Sequence, residues 1–471
     1  MWKVVFAHEW LLLRRSPGLL GGVLFLLLSG AYGLYAGQRF VQAQRVLHRR
    51  LDQGQATRLV RHLARYQADT STAAGRREYR WAHDAVVSDR ELEKVVYQPL
   101  APLAGLAIGQ RDVYPAYYTC LPWDDAYDAG ATEISNPNQL LVGNFDLAFV
   151  FLYLVPLFAI AYAHGVLAEE QPTYALLRVQ AGSMRAVVSC KLLFRLCLIL
   201  GVVFALSGAG YLLGGVPLRP VAPWLGWLVV SALYVNAWFA GIYAVAALHR
   251  RAAITALTLL GAWVILLLLV PAGVNFLLQR QQSDPEAVQL VSLGRDKRTN
   301  PWRLSLPAIQ QAFYRAAPQF SGARYATRDT FELRFLAYTE LQHQQKDSLG
   351  GAQARQQAYL YRQAVRYNLL NPVFAAQTAY NQLAQSELPD HQDFVQAVRA
   401  YQRRRRYVSF GYKLSGQAFG PAQLRQWPAF SYQPPVPSLQ VVVNAWPLLV
   451  WGLILSLLGH RRLGQESAIT R

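Results

Sequence analysis

Six stretches of this chain are apolar over about the 20 residues that an α-helix needs to cross the hydrocarbon core of a bilayer. They are Pro17–Ala36, Phe145–Gly165, Ser189–Leu213, Trp224–Leu248, Ala252–Leu277 and Val441–Leu458. The composition points the same way, because 53% of the 471 residues are hydrophobic and only 15% are charged. Soluble domains rarely combine so much apolar sequence with so few charges. The sequence therefore predicts an all-α membrane protein with six transmembrane helices.

The segments between these spans predict the orientation of the chain. With six spans, four short segments share one face of the membrane, and each carries basic residues: Lys3, Arg14 and Arg15; Arg178, Arg185 and Lys191; Arg250 and Arg251; Arg461, Arg462 and Arg471. Short, positively charged segments stay in the cytoplasm. We therefore predict that both termini are cytoplasmic, with an amphipathic helix over residues 1–16 on the membrane surface and a tail at 459–471.

Two long hydrophilic segments, 37–144 and 279–440, then fall on the outer side. Their many arginines do not oppose this placement, because long domains translocate regardless of charge. Apolar residues recur at helical spacing in both segments: Leu59, Val60, Leu63 and Tyr66 in the first, and Phe394, Val398 and Tyr401 in the second, where Asp390 is the expected N-cap. We expect one composite, mainly helical extracytoplasmic domain built from the two loops.

The net charge of +19 does not indicate a nucleic-acid partner. The charges are scattered among apolar spans, and attraction to anionic membrane lipids explains them more economically. The densest group, Arg403–Arg406, falls on the outer side in this topology. We interpret it as a solvated helical face, with binding to anionic headgroups or to an acidic partner as alternatives.

Nothing in the sequence indicates a metal, a cofactor or a catalytic site. Three cysteines do not make a disulfide framework, and the nine histidines are scattered. The acidic stretch with Asp124, Asp125 and Asp128 lacks the spacing of a calcium loop. The phosphate-binding pattern G-x-x-x-x-G-K-[ST] is absent as well. The chain is therefore not expected to be an enzyme or to bind ATP itself.

The first span contains two G-x-x-x-G pairs, Gly18 with Gly22 and Gly33 with Gly37. Such pairs let two membrane helices approach closely. One interpretation is a seam between two copies of the chain. The alternative is that the pairs have no special role, because glycine is common in membrane helices in any case.

The junction between the second and third spans, residues 166–188, has an unusual composition for a short loop. Glu169, Glu170 and Pro172 follow the second span directly. Proline is tolerated in the first turn of a helix, so we expect a helix that begins at Pro172. The two glutamates would then lie at its positive end, where negative charge is stabilised.

The same junction continues with an amphipathic pattern. Tyr174, Leu177 and Ala181 follow at helical spacing and define an apolar face, with Arg178 and Arg185 beside it. On pattern alone, an interfacial helix whose arginines contact lipid phosphates explains these residues equally well.

The junction resembles the segment that follows the second span in ABC type 2 transporter permeases. That family shows E-x-G-T-L-x-L-L, then a small-residue turn, an arginine and a lysine. The matching positions here are Glu170, Thr173, Leu176, Leu177, Ser183, Arg185, Lys191 and Arg195. Pro172 and Tyr174 replace the usual glycine and leucine. The stretches that begin at Asn136 and Asn371 resemble a branch with enlarged outer loops and a domain of unknown function, related to permeases described for copper-enzyme maturation.

The resemblance implies a membrane subunit of the bacterial inner membrane that works with a separate ATP-binding cassette ATPase subunit and with a second permease copy or a paralogue. The helix over 166–188 would be the coupling helix that docks on the ATPase. The residues implied for this contact are Glu169, Glu170, Thr173, Tyr174, Leu177, Arg178 and Arg185. The N-terminal helix would contact membrane lipids and the ATPase.

Three functions stay open at this point. The chain would export or move an unknown substrate, or it would transmit ATP-driven motion to a periplasmic or envelope partner without moving a solute. A membrane enzyme with its active site in the outer domain is the third, but the sequence offers no nucleophile for it. The sequence leaves open the substrate, the direction of movement and any handling of copper.

Overall fold

The computed structural model describes residues 2–129, 144–173, 184–213, 221–249, 251–280, 289, 292, 305–322, 330–368, 371–436 and 440–469. Helices dominate this part of the chain, as the sequence predicts. The first group is Trp2–Arg15 (α1), Pro17–Arg65 (α2), Ala73–Ala82 (α3), Ala85–Glu91 (α4), Ala126–Ala129 (α5), Leu147–Glu170 (α6), Met184–Leu213 (α7) and Val221–Leu248 (α8).

The second group is Ala252–Gln279 (α9), Leu306–Ala316 (α10), Thr330–Tyr367 (α11), Pro372–Leu383 (α12), Leu388–Ser415 (α13), Pro421–Arg425 (α14), Gln440–Asn444 (α15) and Trp446–Ile469 (α16). A 3-10 turn, Pro318–Phe320, follows α10. Two short strands, Lys94–Val96 (β1) and Tyr118–Cys120 (β2), pair antiparallel with Val95 opposite Thr119.

Within the described residues, five helices are long and apolar enough to cross a membrane: α2, α6, α7, α8 and α9. This agrees with the prediction of a membrane protein for the first five spans. The predicted sixth span, 441–458, is not among the five; it is divided between α15 and α16, which are separated at Ala445. Pro447 follows this break, and a proline cannot donate the backbone hydrogen bond that would continue a helix through it. α16 packs along α8.

Two of the spans contain a wider π-helical turn, Val150–Leu154 in α6 and Ile265–Leu269 in α9, each followed closely by a proline. Because proline has no N–H, a carbonyl one turn earlier loses its helical partner. A side chain supplies the missing hydrogen bond in both helices. The Tyr234 hydroxyl donates to the carbonyl oxygen of Leu152, and the Asn371 amide donates to that of Leu266, both at 2.8 Å.

The helix α12 belongs to the hydrophobic core of the spans. Its buried apolar side chains join the same cluster as residues of α6, α7 and α8. The Tyr380 hydroxyl donates to Ser231 of α8 at 2.9 Å, and the Tyr380 ring lies 4.2 Å from the Trp227 ring. The segment predicted to be entirely outside the membrane therefore places one helix against the spans.

Gly33 and Gly37 of the first span lie against the backbone of other parts of the same chain. A Cβ at Gly33 would lie 2.9 Å from the carbonyl oxygen of Asp146, and a Cβ at Gly37 would overlap the carbonyl oxygen of Gly105. Contacts within one chain therefore require these two glycines, because only hydrogen leaves room for the neighbouring backbone. Gly18 has open space around it.

The long helix α2 continues from the first span into the first hydrophilic segment. Its 49 residues extend over about 74 Å. Leu59, Val60 and Leu63 lie on this helix as predicted, but the face they form is exposed, whereas His62 is buried. The buried side of this helix faces polar groups: Gln55 donates to the carbonyl oxygen of Val95 at 3.1 Å, and the His62 ring lies beside a glutamate of α4.

The two hydrophilic segments share a core. Val96, Tyr118, Cys120 and Ala126 of the first segment pack with residues of α13 in the second: Phe394, Val395, Val398 and Tyr401. A second core lies between α10, α11 and α13. The two hydrophilic segments thus form one composite body within the described residues, called the outer body below after its predicted location.

Two expectations for α13 are corrected. Its N-cap is Glu387 rather than Asp390; Asp390 is the third residue of the helix and accepts the Glu387 backbone N–H at 3.1 Å. The face with the four arginines is not wholly solvated, because Arg405 and Arg406 are each 4% exposed. Arg405 pairs with Asp89 of α4, and Arg406 Nε lies 3.0 Å from a carboxylate oxygen of Glu340 in α11. Buried charges require such partners.

Candidate functional site

Five charged side chains meet where α1, the end of α6 and the beginning of α7 come together. These residues, Glu9, Glu169, Glu170, Lys191 and Arg195, are called the charge cluster below. Each of the three elements contributes at least one of them. The cluster therefore joins the N-terminal helix, the end of the second span and the third span through side chains.

Arg195 lies at the centre of the cluster and is 3% exposed. Its Nε lies 2.9 Å from a carboxylate oxygen of Glu9, and its Nη2 lies 2.8 Å from a carboxylate oxygen of Glu169. Its Nη1 donates to the backbone carbonyl of Tyr162 at 2.8 Å. The planar guanidinium thus binds three partners in fixed directions at once, which a lysine at this position could not do.

Lys191 lies one helical turn before Arg195, so both cations are on the same side of α7. Its ammonium group pairs with Glu170 and lies 3.4 Å from Glu9. Glu9 therefore bridges the two cations from α1. The buried members of the cluster are all paired, as the cost of charge in an apolar environment requires.

The positions of the charge cluster follow from local sequence. Arg195 follows Lys191 by four positions, the spacing that aligns side chains on a helix. Glu169 and Glu170 lie in a 3-10 turn, Ala168–Thr173, at the end of α6. Glu9 faces them from α1, a helix in which Trp2 and Trp10 are exposed.

A cavity of about 650 Å³ lies beside the charge cluster. Its walls combine the cluster with apolar side chains of α1 and α2, including Leu12 and Leu19, and with Ala252 at the start of α9. The Tyr162 hydroxyl is buried next to the cluster without a hydrogen-bond partner in the described structure. The arrangement holds no nucleophile poised by a base, so its chemistry is that of ion pairs that fix three elements together.

The residues predicted for ATPase contact are distributed as follows. Glu169 is half-exposed and Glu170 is buried, and both are in the charge cluster. Pro172 lies within the 3-10 turn rather than at the start of a described α-helix, and the backbone of Thr173 ends that turn. Tyr174, Leu177 and Arg178 lie outside the described residues. Arg185 is not in the charge cluster; its Nη1 lies 3.3 Å from the His460 ring of α16.

Sequence reasoning missed Glu9. The available signal was that Glu9 is the only acidic residue among the first 16, in an apolar helix. An acidic side chain there indicates a cationic partner inside the membrane region. Lys191 and Arg195 had been matched to the permease pattern, but no role had been derived for them.

Metal binding finds no support in the part of the chain that the structure describes, where no group of three or more His, Cys, Asp or Glu side chains could hold an ion. Cys120 and Cys190 are buried as free thiols, and Cys197 is exposed.

The comparison with known families concerns the second hydrophilic segment. Residues 276–433 match the family described as Domain of unknown function (DUF3526). The match begins near the end of α9 and runs past α14. No curated protein and no solved structure matches the chain. The prediction of a domain of unknown function in this segment is confirmed, and the transporter family remains a prediction.

Proposed function

We propose that this chain is the membrane-spanning permease subunit of an ATP-binding cassette transporter. It would couple ATP hydrolysis by a separate ATPase subunit to the export or movement of an unknown substrate across the bacterial inner membrane. In this proposal the chain has six spans and cytoplasmic termini. The observation that carries it is the charge cluster, because it ties the predicted docking segment to two other elements.

The charge cluster supports a mechanical role for its residues. A force on the segment after α6 acts directly on Glu169 and Glu170, which are paired with Arg195 and Lys191 of α7. Separating a buried ion pair leaves an uncompensated charge and costs about 3–5 kcal/mol. The pairs therefore resist sliding, and α1, the end of α6 and α7 would move together when the ATPase moves.

The first test is copurification from native membranes in mild detergent. The wild type is compared with a double variant, Glu170→Arg with Leu177→Asp, and with Arg61→Gln, a change at an exposed basic residue of α2 in the first hydrophilic segment. We expect a protein with a nucleotide-binding Walker sequence to accompany the wild type and Arg61→Gln but not the double variant. If no such protein accompanies any folded form, the permease proposal is wrong.

A second candidate function is mechanotransmission without a transported solute. Two observations favour it: α2 is continuous from the first span to the outer body, and Asn371 of the second hydrophilic segment donates a hydrogen bond to a span. Motion of the spans would reach the outer segments through rigid contacts and act on a periplasmic or envelope partner. Reconstitution with the ATPase separates the two functions, because a mechanotransmitter hydrolyses ATP while vesicle contents and lipid distribution stay unchanged.

A further inference from the structure

The outer body contains a second concentration of charge, between α11 and α13. A cavity of about 190 Å³ opens between these helices. Most of the residues that line it are polar or charged, among them Asp125, His343, Asp347, Arg399 and Arg403. Pockets for drug-sized ligands have volumes of about 300–1,000 Å³, so this cavity suits a much smaller molecule.

Arg399 is the central side chain of this cavity. Its guanidinium lies over the Tyr127 ring at 4.0 Å, and its Nη1 donates to the Tyr127 hydroxyl at 2.8 Å. These two contacts fix the plane of the guanidinium. Its Nε is buried without a hydrogen-bond partner, because the nearest carboxylate oxygen, on Asp125, is 3.7 Å away. One donor of a fixed cation is therefore unused.

Asp125 is held by other partners, and its carboxylate oxygen, 3.7 Å from this donor, is too far away to accept a hydrogen bond from it. One of its carboxylate oxygens lies 3.1 Å from His343 Nδ1, and the other accepts the Tyr127 backbone N–H at 3.0 Å. Asp125 and His343 are both more than nine-tenths buried. The two side chains are therefore held in place at the buried end of the cavity, next to Arg399.

The outer nitrogen of Arg399 is paired with Asp347. In contrast to the buried Asp125 and His343, the Asp347 side chain is 44% exposed. Arg403 lies one turn further along α13 at the mouth of the cavity and is exposed. A carboxylate at the mouth that can move away, a fixed guanidinium behind it and a second cation nearby make a site for an exchangeable anion.

The geometry points to a binding site for a compact oxyanion, a small carboxylate or a phosphate group, at Arg399. The ligand would displace Asp347 and accept hydrogen bonds from both Nη2 and the unused Nε, the side-on bidentate arrangement that guanidinium groups form with such anions. Asp347 occupies the site as an internal substitute for the ligand. This site is separate from the charge cluster and does not depend on the permease proposal.

The experiment measures equilibrium binding of radiolabelled succinate and of inorganic phosphate to the full-length chain in nanodiscs, at constant ionic strength set with chloride. We expect saturable binding of at least one probe to the wild type, and the preferred probe identifies the class of anion. Arg399→Gln should weaken the affinity by about tenfold or more, because two charge-assisted hydrogen bonds are lost. Asp347→Asn should strengthen it several-fold, because the internal competitor loses its charge.

Arg404→Gln is the matched control, since it removes the same charge from an exposed position on the same helix. We expect it to leave the affinity unchanged. Equal loss in Arg404→Gln and Arg399→Gln would reduce the effect to general charge and overturn the site. If Arg399→Gln does not fold, the exposed Asp347→Asn variant decides alone: an affinity no greater than that of the wild type, or no saturable binding in either, overturns the proposal.

Discussion

The Asn371 side chain and the Leu266 carbonyl oxygen are joined by a 2.8 Å hydrogen bond between the family-matched segment and a membrane-spanning helix. The same Asn371 side chain accepts the Val373 backbone N–H at 3.0 Å and so caps α12. One residue therefore begins a helix with its oxygen and closes a gap in a span with its nitrogen. Both groups belong to one amide, so the two elements are fixed relative to each other.

The two roles of Asn371 can be separated by substitution. Asn371→Ala removes the cap, which contributes about 0.5–2 kcal/mol, and also leaves the Leu266 carbonyl unpaired. Asn371→Asp keeps the capping oxygen but loses the donor. We expect both variants to lower the thermal unfolding midpoint in nanodiscs, Asn371→Ala more than Asn371→Asp. An Asn371→Asp midpoint equal to that of the wild type would show that the Leu266 contact contributes nothing.

The charge cluster predicts strong coupling between Glu9 and Arg195. Each single variant, Glu9→Gln or Arg195→Gln, removes one buried charge from a cluster in which the remaining charges keep their other partners. We expect each to destabilise the chain by less than the about 3–5 kcal/mol that breaking an isolated buried pair costs. The double variant removes both charges and should cost clearly less than the sum of the two. Denaturant unfolding of the three variants in detergent measures this, with Arg14→Gln as the control. Additive effects would mean that the pair makes no specific contribution.

The close approach at Gly37 predicts a position-dependent effect of alanine. Gly37→Ala would force its Cβ against the Gly105 backbone, which cannot move as a flexible side chain can. We expect a loss of about 1–3 kcal/mol, as overpacking generally costs. Gly18→Ala, which meets nothing within 4 Å, should be neutral for the stability of one chain. Comparison of the thermal midpoints tests this. A loss at Gly18 equal to that at Gly37 would instead favour a contact between copies.

The start of α13 predicts a stability that depends on pH. Burial raises the pKa of Glu387 from 4.5 to about 8, although the Tyr361 hydroxyl donates to it. Its folded pKa is above its unfolded one, so its contribution is fully present below pH 4.5 and is lost as pH rises through 8. Glu387→Gln imitates the protonated form and lacks this dependence.

We therefore expect the wild type to lose stability relative to Glu387→Gln between about pH 5 and pH 8. Asp390, whose pKa burial raises to about 6, acts in the same direction in both proteins. His391, whose pKa burial lowers to about 4, acts in the opposite direction, again in both. Thermal midpoints of the two proteins across this range measure the difference. A difference that is constant with pH would show that Glu387 is ionised throughout.

The membrane helices were predictable because about 20 consecutive apolar residues have few alternatives. The buried faces of the helices in the two hydrophilic segments were not predictable. His62 is buried because it contacts a glutamate of α4, and Arg405 is buried because it pairs with Asp89. Helical spacing shows which residues share a face but not what chemistry lies opposite it. Glu9 was missed for the same reason, since its two cations are more than 180 residues away.

The continuous helix α2 has a consequence for how far a small motion reaches. A rod about 74 Å long that tilts by about 5° about its membrane end carries its far end sideways by about 6 Å. Displacements of an ångström among the spans would then be amplified severalfold at a distance from the bilayer. The chain would behave as a lever arm whose fulcrum lies at the Ser16 cap, where α2 begins.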